Sequence, residues 1–442
     1  MYLKIKINQL VLTLNWLFIL FPLSFAAGSF IVNAHFLTFI CLGCVYLKKK
    51  NIKFRFDTLL FIFFLFCTSI IISSIDNQFN LGKAFQYLRF LIFYFICFYL
   101  LKEKVFSLDK VFNYYALFVS IIIIDLLIQH FFGYNIIGLK IYNFAEDKIP
   151  VATSFFQKEK VAGSFIQNFG IYLVFLVFYK FKKFNISHIL IKSFVVSLIS
   201  FSIFISFQRM PMVIWIFFLT IYGIIYYKSK LLPILFSFVI LIFLIINFSS
   251  KDIITSYNSF FDNIKRMEAT VLRNYNIIQN EKKYNEIKIN PEKISKFELG
   301  SGHASLYANA IYIWKNNVLF GVGYKNFYNN CVEKKLTRCT THPHNYYLDI
   351  IVTTGLFGFL IFLSFIVIVL SKIFKSLKFN LKSKNKKKND IILFSLINFL
   401  MYFFPLKSSG SFFTSLNSTY MMIILVILLS QLHIENHKKN KI

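Results

Sequence analysis

The chain has 442 residues, of which 57% are apolar and 20% aromatic, and a formal net charge of +30. Apolar blocks of about 20 residues separated by lysine clusters exclude an ordinary soluble domain and predict a polytopic helical membrane protein. The charge alone would fit a nucleic-acid partner, but the lysines sit in short loops between apolar blocks, so no nucleic acid is expected.

Taken in order, Lys4 and Lys6 precede a long apolar run with no small-residue cleavage site close behind, so no cleavable signal is expected. Twelve spans are predicted, at 9–28, 30–47, 57–75, 85–101, 111–132, 163–181, 189–207, 210–227, 231–249, 346–372, 390–405 and 412–432. Lys48 to Lys50 with Lys53 and Arg55, then Lys102, Lys104 and Lys110, then Lys180, Lys182 and Lys183 fall on one side. Lys228, Lys230, the run Lys382 to Lys388 and the terminal Lys438, Lys439 and Lys441 fall there too. The positive-inside rule then predicts cytoplasmic termini and places 250–345 outside. The expected fold class is all-α, a membrane bundle of about 12 helices with one large helical outer loop. Its parts are a membrane domain at 1–249 with nine helices, the loop at 250–345, and a membrane domain at 346–442 with three.

Polar chemistry collects in the outer loops. The first, 133–162, ends in Gln157-Lys-Glu-Lys160, and a tight hairpin, Ser206-Phe-Gln-Arg209-Met-Pro211, pins Arg209 at the membrane edge. In the large loop, Ile254 to Gln279 has the periodicity of one amphipathic helix and 280–300 reads as exposed and mobile. A second helix runs from Ser301 to Trp314 and ends at Asn316-Asn317; Gly321 and Gly323 read as turn glycines, since no strand or Gly-Lys-Ser/Thr accompanies them. Cys331 and Cys339 are close enough to bridge if the loop meets an oxidising compartment, whereas Cys41, Cys44, Cys67 and Cys97 read as inert core thiols. Arg89 and Asp125, charged within spans, are expected to pair with each other.

The chemistry centres on Cys339 to Gly358, where His342 and His344 flank Pro343 and are followed by Asn345. An imidazole is the side chain that takes or gives a proton near neutral pH without a large shift, so His344 is the candidate base and His342 a neighbour that orients the loop. Arg209 is the candidate clamp on a lipid phosphate, because a planar, always-charged guanidinium suits a diphosphate. His303, at a helix start, is positioned to meet a phosphate. His-Pro-His looks like a ligand pair, but zinc needs three or four ligands and no carboxylate cluster joins it, so no metal is expected.

These residues resemble the O-antigen ligase and O-antigen polymerase superfamily. His344-Asn345, nine residues, then Gly355-Leu-Phe-Gly358 fits its signature of a histidine, a small polar residue and Gly-x-x-Gly. Ser301 through Trp314 to Gly321-Val-Gly323 is similar to the lead-in, Ser206-Phe-Gln-Arg209 to the arginine-bearing hairpin, and Gly163-Ser-Phe-Ile-Gln-Asn168 to a segment that opens a span. The resemblance spans roughly 157–358 and implies a metal- and cofactor-independent inner-membrane glycosyltransferase. It would move a glycan from undecaprenyl diphosphate, at the periplasmic face, to lipid A-core or to a second lipid-linked glycan. A repeat-unit polymerase is the alternative within the family, and a flippase for lipid-linked sugars the alternative outside it. The resemblance implies His344 and Arg209 as the catalytic pair. It puts Lys160 where an arginine often precedes the glycine and His303 where many members carry arginine. Arg266, Arg273 or Arg338 are the candidates to replace that cation, and His342 and Asn345 complete the substrate-binding set.

Overall fold

The computed structural model describes residues 7–433 apart from 54–56, 76–77, 144–149, 158, 182–184, 228–231, 250, 266, 285–301, 337 and 381–385. Both chain ends, part of the lysine run after Lys382 and most of the segment expected to be mobile lie outside the described residues. The first half comprises α1 (Ile7–Ile19), α2 (Phe21–Ala26), α3 (Ser29–Lys49), α4 (Thr58–Ile72), α5 (Gln78–Gln86), α6 (Arg89–Lys102) and α7 (Leu108–Phe132). A two-residue antiparallel ladder, β1 (Tyr142–Asn143) with β2 (Pro150–Val151), follows. Then come α8 (Ala162–Lys180), α9 (Ile186–Ile205), α10 (Arg209–Tyr227), α11 (Leu232–Phe248), α12 (Lys251–Lys265) and α13 (Met267–Tyr284). The chain continues as α14 (Gly302–Lys315), α15 (Phe327–Glu333), α16 (Tyr346–Asn380), α17 (Lys386–Tyr402) and α18 (Ser415–His433).

Every apolar run predicted to span carries a helix. Seven stretches are long and apolar enough to cross a bilayer: Ser29–Lys49, Asn80–Lys102, Leu108–Phe132, Ala162–Lys180, Ile186–Ile205, Tyr346–Leu377 and Ser415–Leu432. Among the described residues five further apolar helices run only 10–17 residues, so seven helices have the length and composition to cross and twelve spans remains a proposal. The run expected at 9–28 is broken, because Pro22 falls in the first turn of α2, where its missing N–H is tolerated but cannot continue the ladder of α1. Bulky side chains such as Phe30, Phe61, Val239, Ile246, Val367 and Phe374 are exposed on the exterior, as lipid contact requires.

The main pairings are α7 with α8, α9 with α11, α4 with α16 and α6 with α18. Small residues bring α9 and α11 close: the Ser193 and Ser197 hydroxyls donate to the Pro233 and Ser237 carbonyls at 2.7 and 2.8 Å. Elsewhere aromatic rings fill the core, as where Phe66, Phe362 and Phe412 meet with centroids 5.3–6.1 Å apart.

The amphipathic helix expected at 254–279 is helical on either side of Arg266, as α12 and α13, and Arg266 itself lies outside the described residues. Two expectations need correction. Cys67 and Cys97 are buried, but Cys41 and Cys44 face outward from α3. Arg89 and Asp125 do not pair. Asp125 accepts hydrogen bonds from Asn135 Nδ2 (3.2 Å), the Ile136 N–H (2.9 Å) and Ser154 Oγ (2.5 Å), and three donors satisfy a buried carboxylate without a cation. Gln129 Oε1 accepts from the Thr153 and Ser154 N–H groups at 2.7 Å each, so α7 ties down the loop leading to α8. Arg89 donates instead to Asn33 Oδ1 (3.2 Å) and Ser415 Oγ (2.7 Å).

The signature glycines have a structural cause. α16 breaks at Gly355, where φ is 64° and ψ −167°. Across the break the ladder is completed by the lead-in: Leu356 and Phe357 N–H donate to the Val318 and Leu319 carbonyls at 2.8 and 3.1 Å. In return Val322 and Gly323 N–H donate to the Val352 and Thr353 carbonyls at 2.8 and 3.0 Å. A Cβ on Gly355 would strike the Leu319 carbonyl, and one on Gly321 would sit 2.5 Å from the Val352 oxygen. Gly321 and Gly323 are therefore turn glycines, both at positive φ.

Candidate active site

The Arg209 side of the site is built by the α9–α10 hairpin. Ser206 to Gln208 turn the chain, with Phe207 in the left-handed region at φ 61°, and α10 begins at Arg209. Gln208 grips the start of α8: its Nε2 donates to the Lys160 carbonyl and its Oε1 accepts the Ser164 N–H. Gly163 lies so close to Ser206 and Gln208 that a side chain there would collide with both. Two segments of the sequence resemblance thus touch, and the contact puts two cations on one ring. The Phe207 centroid is 4.7 Å from the Arg209 guanidinium carbon and 5.8 Å from Lys160 Nζ. Phe260 of α12 approaches Arg209 at 5.9 Å, and Tyr257 of the same helix stacks on Phe204 with centroids 4.4 Å apart.

The imidazoles come from the other side. His344 also adopts a left-handed backbone, at φ 57°. Its ring lies 4.3 Å from that of His342 and 5.4 Å, edge on, from that of His303 at the start of α14. His303 lies within electrostatic reach of Arg209 as well as His344, which makes it the residue between the two sides. His342 Nδ1 and Thr341 Oγ1 share a hydrogen bond (2.9 Å), while its Nε2 is buried with no partner among the described residues.

All three imidazoles are held in the neutral form. Desolvation, with the nearby His344 and Arg209, pushes His303 down to about 4 even though the residue as a whole is exposed. Desolvation and His344 push His342 down to about 4. Burial lowers His344 below the usual 6.5, and a backbone hydrogen bond with Ser409 pulls the other way. A lowered pKa keeps the neutral, proton-accepting form at neutral pH and moves its loss to more acid solution. Activity that needs a basic His344 should therefore be level through neutrality and fall only at pH below 6.5. An acid limb with its midpoint above that value would show that another group titrates.

The remaining candidates are placed differently. Asn345 is buried and spends its side chain on structure: Oδ1 caps α16 by accepting the Tyr347 and Leu348 N–H groups at 3.0 and 3.2 Å, and Nδ2 donates to the Pro405 carbonyl at 2.6 Å. Arg273 is exposed on α13, and Arg338 is exposed beside Cys339. The structure thus brings together His344, His342, His303, Arg209 and Lys160.

Sequence reasoning passed over the loop 405–414. Besides Pro405, its Ser409 N–H donates to the His344 carbonyl at 2.9 Å, and Ser411 Oγ and the Phe412 N–H donate to Asp349 at 2.7 and 2.9 Å. The loop therefore grips the signature at three places. It also carries Lys407, buried with its ammonium 5.4 Å from the Tyr402 ring, whose pKa burial pushes down to about 8. The available signal was a lysine on the face whose short loops hold few of them.

Cys331 and Cys339 form a disulfide with Cα atoms 5.7 Å apart. It closes a short loop next to the packed cluster of Leu306, Ala310, Ile313, Val322 and Phe327, a constraint of roughly 2–3 kcal/mol on the chain-entropy account. Alkylation of unreduced, unfolded protein should spare both cysteines and label them only after reduction; labelling before reduction would count against the bond. No group of three or more His, Cys, Asp or Glu arranged for a metal occurs among the described residues.

Residues 194–363 match the Wzy_C family model, described as O-antigen ligase. The matched stretch contains Arg209, His303, His342, His344 and the Gly355–Gly358 pair, and it supports the O-antigen ligase/polymerase superfamily on which the sequence resemblance rested. No curated protein matches the chain.

Proposed function

We propose that this membrane chain, with its O-antigen ligase stretch at 194–363, transfers a glycan from undecaprenyl diphosphate to a hydroxyl of lipid A-core at the periplasmic face. The observation that carries the reading is the convergence at His303, whose ring contacts His344 and whose charge state responds to Arg209. A neutral imidazole and a fixed guanidinium in one cleft are what inverting transfer from a lipid diphosphate needs. The acceptor oxygen attacks the anomeric carbon as its proton passes to His344. The bond from that carbon to the diphosphate oxygen breaks, and the electron pair leaves with the diphosphate. Arg209, with Lys160 beside it, stabilises that developing charge in place of a divalent cation. Lys407 is a further cation in reach of the same loop. The disulfide and the lysine-rich short loops support an outer position for 250–345 and cytoplasmic ends.

Deleting the gene and inspecting surface polysaccharide tests the reading. Loss of every long chain attached to core would support the ligase. Core capped by a single repeat would instead support a repeat-unit polymerase with the same chemistry. Unchanged polysaccharide would overturn both.

A further inference from the structure

The turn that enters the break in α16 carries an apolar surface of its own. Residues 316–324 hold no charge and are bounded by Lys315 and Lys325. At the tip Val318, Leu319 and Phe320 are exposed, Leu319 at 62%. Beside them on α16, Leu356, Phe357 and Leu360 are exposed as well, and the Phe320 and Phe357 rings meet with centroids 6.1 Å apart. Large apolar side chains exposed together in this way mark a surface that meets something other than water.

The patch continues a face turned toward lipid. Leu360, Val367 and Phe374 recur two helical turns apart and are all exposed, so they form one stripe along α16. Residues 350–371 carry no charge, and Lys372 and Lys375 mark the polar end of the span. A crossing takes about 20 residues, so counting back from Lys372 sets the opposite edge of the hydrocarbon at roughly residue 352. Leu356 and Phe357, with the turn bonded to them, fall inside that edge.

Non-helical backbone survives at membrane depth only where the protein itself satisfies its polar groups. Here the Val318 and Leu319 carbonyls accept from α16, and the Val322 and Gly323 N–H groups donate to α16 in return. The Gly321 N–H donates to the Asn317 carbonyl at 3.0 Å. Polar side chains at the mouth of the turn are also spent locally. Asn316 and Asn317 Nδ2 donate to the Tyr312 and Ile313 carbonyls at 2.8 and 3.0 Å, and Trp314 Nε1 donates to the Val318 carbonyl at 3.3 Å.

We propose that residues 318–320, with Phe357, form a re-entrant tip that inserts among the acyl chains of the leaflet at the Tyr346 end of α16. Insertion fixes the depth of the break, about 14 Å of helix below Tyr346. It requires nothing of the glycan-transfer chemistry.

Nitroxide labels on the full chain in phosphatidylcholine nanodiscs test the insertion. Cys41→Ser and Cys44→Ser remove the two outward-facing thiols, while Cys67 and Cys97 are buried and Cys331 and Cys339 are bonded to each other. Leu319→Cys and Phe320→Cys are labelled separately, so the test stays readable if one variant folds poorly. Val367→Cys is the lipid-facing reference, and Asn329→Cys, exposed on α15, is the aqueous one. Collision with oxygen, which concentrates among acyl chains, is compared with collision with a water-soluble nickel chelate. Labels at 319 and 320 should match 367, with the oxygen-to-nickel ratio raised severalfold over that at 329. A ratio equal to that at 329 overturns the insertion. Shielding from both agents overturns it too, and would indicate cover by a second copy of the chain.

Discussion

Replacing His344 should abolish glycan transfer while the protein still inserts and folds. A positioned base contributes about 10²–10⁴ in rate, and the two imidazoles beside His344 are poor substitutes for it. His342 and His303 are both held nearer 4, which makes them weaker proton acceptors. The choice of substitute matters, because residue 344 has φ 57°. Alanine there adds backbone strain, whereas asparagine tolerates the left-handed region and cannot act as the base. His344→Asn should therefore match His344→Ala in lost transfer and exceed it in thermal stability. Transfer by purified protein, measured beside its melting point, separates the two effects, and a retained rate in the asparagine variant would remove His344 from the chemistry.

Arg209→Lys should be nearly as damaging as Arg209→Ala, each lowering transfer by about 10²–10³, the scale for removing one preorganised charge-stabilising donor. A lysine would keep the charge and the rings of Phe207 and Phe260 beneath it. It would lose the fork that can hold two diphosphate oxygens at once. If the substrate's leaving group is what Arg209 meets, the loss should appear mainly in the maximal rate. A lysine variant with parental activity would reduce Arg209 to an interfacial anchor.

Much of this was legible in the sequence, for identifiable reasons. Apolar runs announce helices regardless of what they pack against, and the spacing from His344 to Gly358 is readable residue by residue. What stayed hidden depended on partners distant in sequence. Nothing near Asp125 indicates that three donors from the following loop satisfy it, so an ion pair with Arg89 was the natural expectation. Asn345 belongs to the motif, but its capping role shows only when its amide is seen facing the α16 N–H groups and Pro405. Lys407 and the 405–414 loop were marked only by a lysine on the lysine-poor face, because their effect lies in contacts with residues some 60 positions earlier.

The interruption in α16 governs more than local geometry. With the lead-in plugged into the gap at Gly355, the helical segment upstream is clamped at one end, and His344 projects from the other. The span between them works like the shaft of a key. One added or deleted residue would swing the imidazole about 100° around the axis and aim it away from the guanidinium. A fixed interval between histidine and glycine is thus a constraint on angle, and it leaves the side chains along that interval freer to vary than its length.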